Sequence, residues 1–258
     1  GDIAQACGAI QDISENHKSD EVHLLTTKPF FDLFKKNPHV SNVILDKRLS
    51  RFNLIYLYSL MKYIKKYKFS KVYDLQNSSR TSFYKKILFP KATKETWSSS
   101  ETTLPERTTK QDFDKYTVLS RFDHQLKSSG IKTYHTLSPD FSWSTSDISQ
   151  IKNQYRLKKY IVLFPFCSPH LKSKRWPYYN DLISLIHEKL ENKFKVVIAP
   201  GPGEIKEASS INANCILDNG KALDISQLAA LIRDSSFVVA NDTGPAHMTA
   251  HLGSKGIA

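Results

Sequence analysis

The chain has 258 residues, 40% of them hydrophobic and 24% charged, which is ordinary for a globular protein of one large domain or two of usual size. It contains no apolar run of about 18 residues, which excludes a membrane-spanning helix. The formal charge is +12: residues 1–143 carry 23 − 15 = +8 and residues 144–258 carry 14 − 10 = +4, so an anionic partner (nucleic acid, a phosphorylated glycolipid or an acidic membrane surface) suits the first half best, unless the charge only solvates the surface.

Short β-rich runs alternate with helical ones. Residues 22–26 and 43–45 predict strands. Residues 51–68 predict a helix, because Phe52, Ile55, Tyr56, Leu60 and Ile64 recur at three- and four-residue steps with Lys62, Lys65 and Lys66 between them. A strand over 71–75 and a helix over 79–89 follow. Residues 91–114 show no period and read as a long surface loop. A helix over 116–128 ends at Gly130. The polar stretch 133–145 contains Pro139 and predicts a domain boundary, giving domains 1–143 and 144–258.

Alternation then resumes. A strand over 160–165 precedes a helix over 178–191. A strand over 195–199 leads through Pro200-Gly201-Pro202-Gly203 to a helix from about Glu204. A strand over 215–217, a helix over 225–234, a strand over 237–241 and a helix over 244–252 complete the pattern. Such alternation predicts an α/β protein of two Rossmann-like domains, each a parallel sheet with crossover helices, facing a cleft. Ligands of such sheets sit beyond the carboxyl ends of the strands.

The residues that can carry chemistry fall at those ends. In Asn241-Asp242-Thr243-Gly244-Pro245-Ala246-His247 an apolar strand runs into a helix start. The amides of Thr243 and Gly244, with the helix dipole, suit a diphosphate. Asp242 is better suited to sugar hydroxyls. The same residues also make an ordinary helix cap. Ser168 with Lys172, Lys174 and Arg175 follows the strand over 160–165 and suits an anionic leaving group, or forms a solvated basic loop. Glu204 can bind a ribose diol or cap its helix. Asp2 and the segment Asp74-Leu75-Gln76-Asn77-Ser78-Ser79-Arg80 are further candidates, each with a plain capping or loop role as the alternative. No GxGxxG, Walker A, HExxH or paired-Asp metal motif is present, so a metal-dependent mechanism has no visible ligands. Three dispersed cysteines without metal spacing predict free thiols in a reducing compartment.

The order GD, DLQ, KRWP, GPGE and NDTGPAH followed by HLGSKGI resembles glycosyltransferase family 9, the heptosyltransferase family of lipopolysaccharide assembly. The likeness covers nearly the whole chain. It implies a GT-B fold, with an acceptor-binding N-terminal domain and a C-terminal domain for the sugar nucleotide. The first strand and the last strand–helix units of the family have no counterpart, so truncation at both ends is expected. It further implies an inverting, metal-independent transfer without cofactor, the donor being a sugar nucleotide such as ADP-heptose. The acceptor would be a phosphorylated glycolipid at the cytoplasmic face of an anionic inner membrane, and nucleic acid is not expected as a partner. Matched residue by residue, Asp2 would be the general base and Lys174 would neutralise the diphosphate. Ser168, Glu204, Asp242, Thr243, Gly244 and His247 would hold the donor. Asp74, Gln76 and, from its position beside them, Arg80 would face the acceptor. Gly8 stands where many relatives have proline. An epimerase sharing the donor site, and a non-catalytic protein that binds a sugar nucleotide or nucleic acid, are the alternative readings.

Overall fold

The computed structural model describes residues 2–258, the side chains of residues 169–171 apart. In chain order the helices and strands are α1 (Asp2–Asn16), β1 (His23–Thr27), α2 (Lys28–Phe34), β2 (Asn42–Asp46), α3 (Leu54–Tyr67), β3 (Val72–Tyr73), α4 (Ser79–Leu88), β4 (Trp97–Ser98), α5 (Lys110–Phe113), α6 (Val118–Ser128), α7 (Ser149–Gln154), β5 (Tyr160–Phe164), α8 (Tyr179–Lys189), β6 (Lys195–Ile198), β7 (Asn214–Cys215), α9 (Ile225–Arg233), β8 (Phe237–Ala240), α10 (Gly244–His251) and β9 (Gly256–Ile257). They form two compact units. One is Gln5–Pro139; the other is Asp140–Ala258 together with residues 2–4, the first turn of α1. The division lies at 139/140, and the start of the chain goes with the second unit.

In the first unit β1 pairs with β2 and β3 with β4, both parallel. Tyr56, Leu57 and Leu60 of α3 pack on Tyr84 and Leu88 of α4. Asp12 of α1 is fully buried. It accepts hydrogen bonds from the amides of Tyr134, His135 and Thr136 at 2.9, 3.0 and 2.8 Å, and from the Thr136 hydroxyl at 2.6 Å. These bonds draw α1 against the backbone of 134–136. The approach needs Gly8, where a Cβ would lie 2.1 Å from the His135 carbonyl oxygen.

The second unit holds a parallel sheet in the order β7-β6-β5-β8-β9. β5 is buried along its whole length, as expected of a strand covered on both faces. Ile161, Leu163, Val196 and Ile198 pack with Tyr179 and Ile183 of α8. From β5 the chain adds β6 and β7 on one side, then crosses to place β8 and β9 on the other. The strand order therefore reverses between β5 and β8, which is where open α/β sheets bind ligands.

Three expectations change. Residues 91–114 are not all surface loop: Trp97 is 4% exposed, Ser98 is fully buried, and the two pair with β3. Serine at so buried a place is stabilised by bonds from Gln125 Nε2 and Ser129 Oγ. No helix begins at Glu204; turns lead to one 3-10 turn at Glu207–Ser210, and the Glu204 carboxylate accepts the Gly201 amide at 2.7 Å. Helix α2, with Pro29 in its first turn, has no counterpart in the predicted elements; seven residues are too few for a clear period.

Candidate active site

Two segments meet at the reversal point. The first follows β5 and runs through a 3-10 turn, Pro169–Lys174, to Trp176. The second follows β8. Asn241, 5% exposed, joins them. Its Nδ2 donates to the Pro165 carbonyl at 2.9 Å, and its Oδ1 accepts from the Trp176 amide and the Tyr179 hydroxyl, both at 3.2 Å. The short side chain of asparagine, with a donor and an acceptor, suits a strand end that must bridge two loops.

This frame brings Lys174 to Asp242. The ammonium donates to the carboxylate at 2.5 Å and lies 3.3 Å from the Asp242 carbonyl. The lysine holds the Asp242 carboxyl below its ordinary range. His247, one turn into α10, has its Nε2 3.8 Å from the other oxygen of the same carboxylate. Burial pushes the His247 imidazole below its usual range, while the charges of Asp242 and Asp2 act in the opposite sense. Asp2, exposed in the first turn of α1, thus belongs electrostatically with this group.

Thr243 stands at the cap position of α10 in extended conformation, and Pro245 sits in the first turn. The Thr243 hydroxyl donates to the Asn241 carbonyl at 3.1 Å instead of capping the helix. Among the described residues, none accepts a hydrogen bond from the amides of Thr243 and Gly244. Two open N–H groups at the positive end of a helix dipole, with a cation alongside, are an arrangement that attracts an anion. A groove of about 960 Å³ starts at Lys174, Trp176, Asn241 and Asp242 and runs along apolar side chains of α8, β8 and β9, among them Leu182, Ile186, Phe237 and Ile257.

The remaining candidates are placed as follows. Ser168 is exposed, immediately before the 3-10 turn, and makes no cap bond. Arg175 points away from Lys174: it pairs with Glu207 and with Cys167, and the salt bridge holds the Glu207 carboxyl below its ordinary range. Glu204 is committed to the Gly201 amide. In the first unit, Asp74 is 7% exposed and holds its own loop, its Oδ1 accepting the Gln76 and Asn77 amides at 3.1 and 2.9 Å. Burial raises its carboxyl above the usual range. Gln76 is exposed. Arg80 is turned inward: its Nε donates to the Tyr84 hydroxyl at 2.7 Å, its Nη2 to the Leu49 carbonyl at 2.6 Å, and Asp46 lies 3.7 Å away. Asn241 is the residue whose part in the site the sequence left unassigned. Its only signal is its place between the strand and Asp242.

Parallel α/β units of this kind, with a polar loop and helix start at the strand-order reversal, match a fold of the GT-B type. Residues 57–258 match glycosyltransferase family 9 (heptosyltransferase), and the chain belongs to that family. It is a glycosyltransferase. Its fold is similar to that of a glycosyl transferase family 9 protein from Veillonella parvula, with a TM-score of 0.77 over 99% of this chain and 76% of that one, at 14% identity. The E. coli ADP-heptose lps heptosyltransferase II is similar with a TM-score of 0.66 at 15% identity, covering 99% of this chain and 80% of that one. E. coli heptosyltransferase WaaC with ADP-2-deoxy-2-fluoro heptose also scores 0.66 at 15% identity, covering 99% and 84%. At such identities the likeness is one of fold. No curated protein matches the sequence.

Proposed function

We propose that the protein transfers a heptose from ADP-heptose, with inversion and without a metal, onto a lipopolysaccharide core or related glycan. The observation that carries this reading is the convergence of Lys174 with the open amides of Thr243 and Gly244 where the strand order reverses. The family membership supports it, as does the fold likeness to a heptosyltransferase solved with an ADP-heptose analogue.

In this mechanism an acceptor hydroxyl attacks the anomeric carbon from the face opposite the diphosphate. Asp2 takes the hydroxyl proton as the new C–O bond forms. The old C–O bond breaks toward the diphosphate, which leaves with the electron pair. Lys174, the two amides and the Ser168 hydroxyl meet the charge that builds there. Lys174 must first exchange Asp242 for phosphate, which frees the Asp242 carboxylate for sugar hydroxyls. His247, whose pKa burial lowers, offers the donor a hydrogen bond. Glu204 would reach a ribose only by releasing Gly201. Gln76 is the member of the acceptor trio free to read hydroxyls, while Asp74 and Arg80 shape the loop around it.

The test is a thermal-shift series with ADP-, UDP-, GDP- and dTDP-sugars, followed by transfer assays. An ADP-sugar is expected to raise the melting temperature selectively. Lys174→Ala is expected to lower the transfer rate by about 10²–10³-fold, the usual cost of one charge-stabilising donor. Asp2→Asn is expected to abolish transfer and keep the thermal shift. Unchanged turnover in Lys174→Ala removes the proposed role, and epimerised donor formed without an acceptor overturns the transfer reading.

A further inference from the structure

Helix α3 has two apolar faces, and the fold covers only one. Tyr56, Leu57 and Leu60 point inward onto Tyr84 and Leu88. Phe52, Leu54, Ile55 and Tyr58 are 91%, 75%, 85% and 68% exposed. They are held there firmly: Asn53 caps the helix, its side chain accepting the Tyr56 amide at 2.9 Å. At roughly 100° per residue, Leu54, Ile55, Tyr58, Lys62, Lys65 and Lys66 fall within an arc of about 120°. The outward face is therefore apolar where the helix begins and cationic where it ends. Residues 47–73 carry eight Lys and Arg and no Asp or Glu.

Four large apolar side chains in seven residues are an unusual expense for a surface that meets only water. Their neighbours narrow the choice of partner. A second copy of this chain would bring one uniformly cationic segment against another. Nucleic acid would satisfy the lysines and leave the aliphatic groups without an apolar partner. An anionic bilayer offers both phosphates and hydrocarbon to a helix lying along its surface.

We propose that this face of α3 docks on an anionic lipid bilayer. Phe52, Leu54, Ile55 and Tyr58 enter the boundary between head groups and acyl chains, and Lys62, Lys65 and Lys66 meet lipid phosphates. None of these residues is assigned to the donor site, so the inference and the donor reading fail separately.

Co-sedimentation with vesicles of phosphatidylcholine and phosphatidylglycerol tests it, with pure phosphatidylcholine vesicles as the comparison. The protein is expected to partition onto the mixed vesicles, more weakly as salt is added, and far less onto the neutral ones. The double variant Phe52→Ser with Ile55→Ser is expected to lower partitioning by about tenfold or more. Replacing Lys62, Lys65 and Lys66 together by Gln is expected to remove the preference for anionic lipid. Both sets lie on the exposed face, so the melting temperature and the ADP-sugar shift are expected to persist. The proposal is overturned if the wild-type chain stays in the supernatant with mixed vesicles, or if both variants bind as well as it does. It is equally overturned if the wild-type chain is a dimer in solution that the Phe52→Ser, Ile55→Ser variant splits.

Discussion

The ion pair between Lys174 and Asp242 is open to solvent, the two side chains being 40% and 64% exposed. A pair so exposed contributes about 0–1 kcal/mol. It orients the lysine without binding it tightly, and a diphosphate carrying more charge can take its place. Asp74 is a different kind of carboxylate. It is buried, and burial holds its pKa above the ordinary value of 3.8. A carboxyl raised in the folded state contributes stability that is fully present below the unfolded pKa and is lost as pH rises through the folded one. Asp74→Asn keeps the Oδ1 acceptor for the Gln76 and Asn77 amides and removes the charge. The variant is therefore expected to gain on the wild type as pH rises from acid to neutral, read by urea denaturation at several pH values. A difference that stays level across the range would mean the carboxyl carries no burial penalty.

Helix α1 shows why a substitution must be judged on the packed element. Gly→Ala inside an exposed helix stabilises by about 0.5–1 kcal/mol. At Gly8 the sign is expected to reverse, because the added carbon would overlap the His135 carbonyl, which is backbone and held by the Asp12 bonds. Overpacking of this kind costs about 1–3 kcal/mol. A lower melting temperature for Gly8→Ala is the expected result, and an equal or higher one would mean that the contact with 134–136 is looser than the geometry requires. The loop after β5 teaches a related lesson. Arg175 and Lys174 are adjacent in sequence, yet one is tied to Glu207 and Cys167 and the other faces Asp242. Only the second lies beside the start of α10.

For the molecule as a whole, the positive charge that the proposed reaction needs at the diphosphate is supplied by the chain itself, through Lys174 and a helix start. Transfer is therefore expected to be unchanged by excess EDTA. A loss of activity restored by a divalent cation would overturn the metal-free reading. Among the described residues, the group of acidic and histidine side chains close enough to share a metal is Asp12, Glu15 and His135, in the first unit. Asp12 there already accepts four hydrogen bonds, which gives it a structural duty. The +12 charge acts at this scale too: more of it lies in the first half of the chain, around the unpartnered face of α3.

By itself the sequence determined the alternation of strands and helices, the parallel α/β class and the segments around Lys174 and Asp242. These depend on local periodicity, on turn residues and on the composition of helix starts, all of which act over a few neighbours. Contacts between distant residues were decided only by the tertiary structure. Lys174 meets Asp242 across 68 positions of chain because β5 and β8 pair, and Asn241 ties their ends. Arg80 turns to Asp46 and Tyr84, and Asp74 to its own loop, because burying a charge or a polar group requires a partner wherever the fold provides one. The two-residue strand β4 was hidden in a polar stretch for the same reason: its order comes from β3 and Gln125, and a short serine run carries no period of its own.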